Sequence, residues 1–220
     1  MARQMAAKTQ LLLELLQGQP VIPVVTLERL ADAVPLARAL ARGGLPAIEI
    51  TLRSNVALDA IRLIGAEVAE AAVGAGTVLT PEQLEQAGEA GARFAVSPGT
   101  TLELLAAARG SSLPYLPGAA TPSEVMSLLE EGYTIAKFFP AEQAGGASLL
   151  RALAAPIPQM RFCPTGGIDA GNAPLYLGLP NVLCVGGSWI CPRELIRDGA
   201  WERIAELARA AAKLRAPAVS

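Results

Sequence analysis

Thr121-Pro122-Ser123-Glu124-Val125-Met126-Ser127-Leu128-Leu129-Glu130-Glu131-Gly132-Tyr133-Thr134-Ile135-Ala136-Lys137-Phe138-Phe139-Pro140 contains one helix pattern and one strand pattern, back to back. Thr121 before Pro122 marks a helix start. The threonine caps free N–H groups, and proline at the first helical position loses no needed hydrogen bond. Gly132 closes that helix, predicted over 122–131. The run 134–139 is a short, mostly apolar segment and reads as a buried strand.

The same unit recurs around it. Strands are predicted at 21–25, 47–52, 71–76, 93–97, 113–117, 134–139, 161–165 and 182–186. Helices are predicted at 28–43, 55–68, 81–90, 101–109, 122–131, 146–154, 170–177 and 200–214. Thr80-Pro81-Glu82 repeats the start signal, and Gly43-Gly44, Gly91 and Gly110 repeat the stop. Eight strand–helix units predict an α/β chain folded as a (β/α)8 TIM barrel. An extra N-terminal helix is expected within 1–19, and a fraying tail at 215–220. No linker or low-complexity segment divides residues 1–220, so one barrel domain is expected. An open doubly wound sheet fits less well, since the first strand ends in Val25-Thr26-Leu27-Glu28, without the glycine-rich turn such folds use.

Of the 220 residues 52% are hydrophobic and only 4% aromatic, which suits strands covered on both faces. The net charge of −2 offers no basic surface for nucleic acid. No apolar run reaches the roughly 18 residues a membrane-crossing helix needs. Leu11 to Leu16 is interrupted by Glu14 and lacks a signal-cleavage pattern, so it reads as a helix packed on the body. Cys163, Cys184 and Cys191 lack metal-ligand spacing and are odd in number; a reducing cytoplasm is the simplest setting. With no histidine in the chain, any general base must be a carboxylate, lysine, tyrosine, cysteine or water. No metal or other cofactor is called for.

Only Lys8, Lys137 and Lys213 are lysines, and Lys137 alone lies inside a strand. An ammonium there loses hydration, which favours the neutral amine, and a desolvated lysine can form a Schiff base with a carbonyl. A core lysine paired with a carboxylate, or one reaching out to the rim, is the other reading. Strand parity sorts the candidates. Glu49, Thr51 and Arg53 share a face opposite Ile48, Ile50 and Leu52. Lys137 and Phe139 share one, Thr77 continues the face of Val73 and Ala75, Thr165 that of Cys163, and Ser188 that of Cys184 and Gly186. One consistent assignment points Glu49, Arg53, Thr77, Lys137, Thr165 and Ser188 inward, mostly at the C-terminal strand ends where barrel enzymes work. Glu49 and Lys137 could instead form a purely structural ion pair.

Gly166-Gly167 and Gly186-Gly187, followed by Ser188, end the last two strands. In phosphate-binding barrels the loops after these strands hold the phosphate through backbone N–H groups. Ordinary tight turns would use glycine there too. Gly74-Ala75-Gly76 is more ambiguous and could simply leave room in the mouth.

Five blocks carry a family resemblance: Glu49-Ile50-Thr51-Leu52-Arg53, Val73-Gly74-Ala75-Gly76-Thr77-Val78-Leu79, Lys137-Phe138-Phe139-Pro140-Ala141-Glu142, Arg161-Phe162-Cys163-Pro164-Thr165-Gly166-Gly167-Ile168 and Gly186-Gly187-Ser188-Trp189. From about residue 20 to 213 the chain resembles the bacterial 2-keto-3-deoxy-6-phosphogluconate (KDPG) aldolases, also described as 4-hydroxy-2-oxoglutarate aldolases. The resemblance implies a class I aldolase that needs no cofactor. Its substrate would be a keto acid phosphate split into pyruvate and D-glyceraldehyde 3-phosphate, with 4-hydroxy-2-oxoglutarate as a second substrate. It implies Lys137 as the Schiff-base lysine and Glu49 as the proton acceptor. Arg53 and Thr77 would hold the pyruvate end, with Thr165 near the ketone and Phe139 beside the reacting centre. Gly166, Gly167, Gly186, Gly187 and Ser188 would hold the phosphate. It further implies a homotrimer. The galactonate epimer as substrate, an isomerase or synthase without an imine, and a non-catalytic sugar-phosphate binder are the rival readings.

Overall fold

The computed structural model describes residues 2–214; the tail expected at 215–220 lies outside them. The fold is α/β, with a curled parallel sheet. Its strands are β1 (Val21–Val25), β2 (Ala47–Thr51), β3 (Ala72–Gly76), β4 (Ala95–Val96), β5 (Tyr115–Leu116), β6 (Gly118–Ala119), β7 (Ile135–Phe138), β8 (Arg161–Pro164) and β9 (Val185–Gly187). The helices are α1 (Ala2–Gln17), α2 (Ala33–Arg42), α3 (Ala57–Glu67), α4 (Pro81–Glu89), α5 (Leu102–Gly110), α6 (Pro122–Glu130), α7 (Gly146–Ala154), α8 (Ala173–Leu177), α9 (Arg193–Arg197) and α10 (Trp201–Ala211). None of the described helices is long and apolar enough to cross a membrane.

Six strands pair in the order β5-β4-β3-β2-β1-β9 and three in the order β6-β7-β8. All the pairings are parallel, including the isolated bridges Phe162↔Val182 and Thr165↔Gly186 that join β8 to the last strand segment. The expected strand at 113–117 differs: it appears as β5 and β6 on either side of Pro117. Proline lacks the N–H a continuous ladder would use.

Helix ends follow the local chemistry. The Thr121 hydroxyl accepts from Glu124 N–H, and the Glu124 carboxylate accepts from Thr121 N–H at 3.0 Å, a reciprocal cap on α6. Thr80 and Thr101 cap α4 and α5 in the simpler way. The helix expected at 170–177 begins only at Ala173. Asp169 Oδ1 accepts from Gly171 and Asn172 N–H, while Asn172 Oδ1 accepts from Asp169 N–H, so a turn takes those residues first. The helix expected from residue 28 starts at Ala33, after a short 3₁₀ turn at Leu30–Asp32. The last helix ends at Ala211, and α9 was not anticipated.

Side-chain parity divides the interior into two apolar clusters. Ile48, Ile50, Val73, Ala136, Phe138 and Phe162 face the helices and pack with residues such as Leu36, Leu40 and Ile61. On the inner face, Ile22, Ala47, Phe94, Val96, Leu116, Ile135, Cys163 and Cys184 pack with Leu12 and Leu16 of α1. Helix α1 thus supplies apolar side chains to the inner face. Lys8 secures it: its ammonium donates to the carbonyls of Ala108 (2.9 Å) and Arg109 (3.1 Å) at the end of α5. A cation at a helix C-terminus also meets the negative end of the helix dipole. Burial lowers the Lys8 pKa. Gln19 closes the same end, donating to Val21 and Ala47 carbonyls and accepting from Ala47 N–H.

Candidate active site

On β2, Ala47, Glu49 and Thr51 lie on one face; on β7, Ile135 and Lys137 do. Ala47 and Ile135 belong to the inner apolar cluster, so the polar residues stand on the same face nearer the C-terminal strand ends. There the Lys137 Nζ donates to Glu49 Oε1 at 3.2 Å, and each residue is only 3% exposed. The two residues are 88 apart in sequence. Two charges held in a dry interior do little for stability by themselves.

Glu49 has room because position 76 is glycine. A Cβ there would lie 2.1 Å from Glu49 Oε1. Gly74 likewise accommodates the Phe94 ring, which a Cβ would meet at 2.4 Å. The Gly74-Ala75-Gly76 run is therefore steric clearance. Next to it, Arg53 Nε donates to Thr77 Oγ1 at 3.0 Å. The strand parity expected to carry Thr77 inward fails, because Val73 and Ala75 face the helices while Gly74 and Gly76 face the interior. Thr77 instead meets Arg53 by leaving the strand at φ 59°, a left-handed conformation rare for a β-branched residue. Such strain concentrates at functional sites. The Thr51 and Thr26 hydroxyls meet at 2.7 Å on the same face.

Lys137 Nζ lies 5.4 Å from the centroid of the Phe139 ring. Phe139 in turn lines a cavity of about 350 Å³, together with Arg53, Thr165, Gly166, Gly167, Gly186 and Ser188. That volume is in the range of small-molecule sites. Lys137 and Glu49 are buried off this wall, next to Phe139 and Gly76. Thr77 reaches the cavity through Arg53.

The glycines divide by task. Gly166 and Gly167 have φ 106° and 73°, backbone that side-chain-bearing residues rarely adopt. Gly186 gives room to Thr165, whose Oγ1 a Cβ would meet at 2.2 Å. Gly187 packs under the Trp189 ring, which a Cβ would meet at 1.8 Å. The segment after β7 ties onto the same loop. Ala141 and Glu142 N–H donate to the Thr165 and Gly166 carbonyls at 2.8 and 3.1 Å, and the Tyr176 hydroxyl donates to the Glu142 carboxylate.

Thr26, Cys191 and Arg193 are among the wall residues that escape the sequence reading. Thr26 continues the parity of Ile22 and Val24 and was accessible to that argument. Cys191 and Arg193 carry no sequence signal. Burial pushes the Cys191 thiol up, so it stays protonated at neutral pH and does not compete as a nucleophile. Cys184 donates to Cys163 at 3.4 Å; that hydrogen bond, then burial, raises the Cys184 thiol. Among the described residues no cluster of three potential metal ligands occurs.

Residues 12–207 match the family model for KDPG and KHG aldolase. The chain is 52% identical over 192 residues to the KHG/KDPG aldolase of Escherichia coli strain K12, covering 87% of this chain and 90% of that protein. It is 49% identical over 198 residues to the 2-dehydro-3-deoxy-phosphogluconate aldolase of Dickeya dadantii, covering 90% and 93%. Among solved structures, the KDPG aldolase of Legionella pneumophila superposes with a TM-score of 0.89 at 49% identity, covering 90% of this chain and 97% of that one. Its pyruvate was captured at low pH as a covalent carbinolamine intermediate.

Proposed function

We propose, from the premise that this chain belongs to the KDPG and KHG aldolase family and is a carbon–carbon lyase, the following assignment of its reaction to its residues. The substrate is 2-dehydro-3-deoxy-6-phosphogluconate, cleaved to pyruvate and D-glyceraldehyde 3-phosphate. The smaller 4-hydroxy-2-oxoglutarate is a second substrate, cleaved to pyruvate and glyoxylate. The observation that carries the assignment is the buried contact between Lys137 Nζ and Glu49 Oε1, beside a cavity holding Arg53 and the glycine loops.

Lys137 gives up its proton to solvent water, and the amine attacks the C2 ketone to form a carbinolamine, whose hydroxyl takes a proton back from solvent as it leaves. Loss of water leaves a protonated imine, which serves as the electron sink. The carbinolamine captured in the Legionella relative is this kind of species. Glu49, directly or through one water, takes the proton from the C4 hydroxyl. The C3–C4 bond breaks, its electrons pass to the imine, and the aldehyde leaves. The remaining enamine takes a proton at C3 from Glu49, and water hydrolyses the resulting imine to free pyruvate and Lys137. One carboxylate acting as base and then as acid suits a chain without histidine. Arg53, aimed by its bond to Thr77, pairs with the substrate carboxylate. Thr165 stands near the ketone and Phe139 beside the reacting carbons. Gly166, Gly167, Gly186 and Ser188 hold the phosphate, and Gly187 seats Trp189 behind them.

The curled sheet is read here as a closed (β/α)8 barrel with α1 added. The β1–β9 pairing and the two bridges from β8 support that reading. The chain is taken as one domain that assembles into a homotrimer. The exposed Leu79 just before α4, Leu102 at the start of α5 and Met126 midway along α6 suit a subunit interface. A sedimenting mass three times 22.7 kDa is its test.

The test of function is cleavage of the gluconate-derived substrate, its C4 epimer and 4-hydroxy-2-oxoglutarate side by side, with pyruvate release followed. The gluconate-derived compound is expected to give the highest kcat/KM. No pyruvate from any of the three would refute the assignment, and preference for the epimer would correct the substrate.

A further inference from the structure

The cavity beside Lys137 has two guanidinium groups on its wall and no carboxylate. Arg53 is one, and Arg193, the first residue of α9, is the other. Arg193 shares the wall with Gly166, Gly167 and Ser188. Its side chain makes no hydrogen bond or ion pair among the described residues, whereas Arg29 next door is engaged by Asp32 through two bonds of 2.8 Å. Arg193 also borders a small hollow of about 70 Å³ lined by Glu28, Arg29, Asp32 and Arg197. Asp32 is committed to Arg29 there, so Glu28 is the one carboxylate in that hollow left to compete for Arg193. An uncommitted, always-charged planar fork on a wall free of carboxylates suits an anion inside the cavity better than a structural contact.

We infer that Arg193 is a specificity-determining residue, closing on the phosphate at the far end of the substrate while Arg53 takes the carboxylate at the near end. A dianion at one end and a monoanion at the other then meet one guanidinium each. The inference rests on the phosphorylated-substrate reading above and extends it: the glycine loop orients the phosphate through N–H groups, and Arg193 supplies the positive charge that separates a phosphorylated keto acid from an unphosphorylated one.

The experiment compares wild type, Arg193→Gln and Arg193→Lys on the phosphorylated substrate and on 4-hydroxy-2-oxoglutarate. Inorganic phosphate is included as an inhibitor of the second reaction. Arg193 is exposed, so these variants are expected to fold, which circular dichroism verifies. The expected result is a rise of about tenfold in KM for the phosphorylated substrate in Arg193→Gln, the size of one lost charge-assisted contact at an exposed site. Its kcat should change little, and the loss on 4-hydroxy-2-oxoglutarate should be several-fold smaller. Inhibition by phosphate should weaken in parallel, with Arg193→Lys recovering part of both effects. Equal losses on the two substrates, or an unchanged KM and unchanged phosphate inhibition, would overturn the inference. A wild type that leaves the phosphorylated compound uncleaved would instead refute the substrate reading, and the phosphate inhibition series would still judge Arg193.

Discussion

Glu49 owes its position to an atom that is missing at residue 76. Its carboxylate occupies the space a Cβ of that residue would fill, and from there it reaches Lys137 Nζ at 3.2 Å. A methyl group at position 76 should push the carboxylate aside without disturbing Lys137. Gly76→Ala is therefore expected to lower kcat about 100-fold, the usual effect of a misplacement near 1 Å. Glu49→Gln, which keeps the shape and removes the base, should cost about 10²–10⁴-fold. Imine formation with pyruvate should persist in both variants. Wild-type kcat in Gly76→Ala would show that the carboxylate needs no such clearance. Parity alone placed Glu49 and Lys137 on one face, because alternation along a strand is local. It could not reveal what Gly76 is for, or the left-handed Thr77 that aims Arg53. Both depend on a neighbour that only the folded sheet brings close.

Among the elements, α1 is the one whose role depends most on long-range contacts. It buries Leu12 and Leu16 against inner-face residues, each such side chain contributing about 1.5–3 kcal/mol. Lys8 pins it to the end of α5. Replacing Lys8 by methionine keeps the length and removes the donor. The Ala108 and Arg109 carbonyls then lose a charge-assisted partner, at a cost of about 1–3 kcal/mol. Urea unfolding should show a lower midpoint at unchanged slope, with kcat unaffected. An unchanged midpoint would mean the contact contributes nothing to holding α1. The capped starts of α4 and α6 were legible because a Thr-Pro start acts within one turn. The late start of α8 was not, because the Asp169–Asn172 turn competes with the helix using the same residue types that begin one. Helix α9, only five residues long, falls below the length at which periodicity speaks. It carries Arg193, so the sequence reading missed that residue together with its helix.

At the scale of the molecule, the division of labour runs along the strands. Apolar side chains fill the inner face toward the N-terminal ends, and α1 covers them. Glu49, Lys137, Thr51, Thr165 and Arg53 occupy the other end, next to the cavity. The apolar layer keeps water from the lysine stem on one side, while the cavity admits a small keto acid on the other. The alternating strand and helix patterns made this arrangement readable in outline. The joining of the sheet's two parts through single bridges at Phe162 and Thr165 was not readable, since such pairing leaves no mark on either strand alone.

The proposed cleavage requires a covalent bond between substrate and one nitrogen. With three lysines in the chain, that bond can be located without ambiguity. Borohydride added in the presence of pyruvate, followed by mass spectrometry of the intact chain and its peptides, is the most direct measurement. One reduced pyruvyl group per chain on the peptide containing Lys137, and none on the Lys137→Ala variant, is the predicted result. Labelling of Lys8 or Lys213 instead, or an adduct that survives in Lys137→Ala, would contradict it.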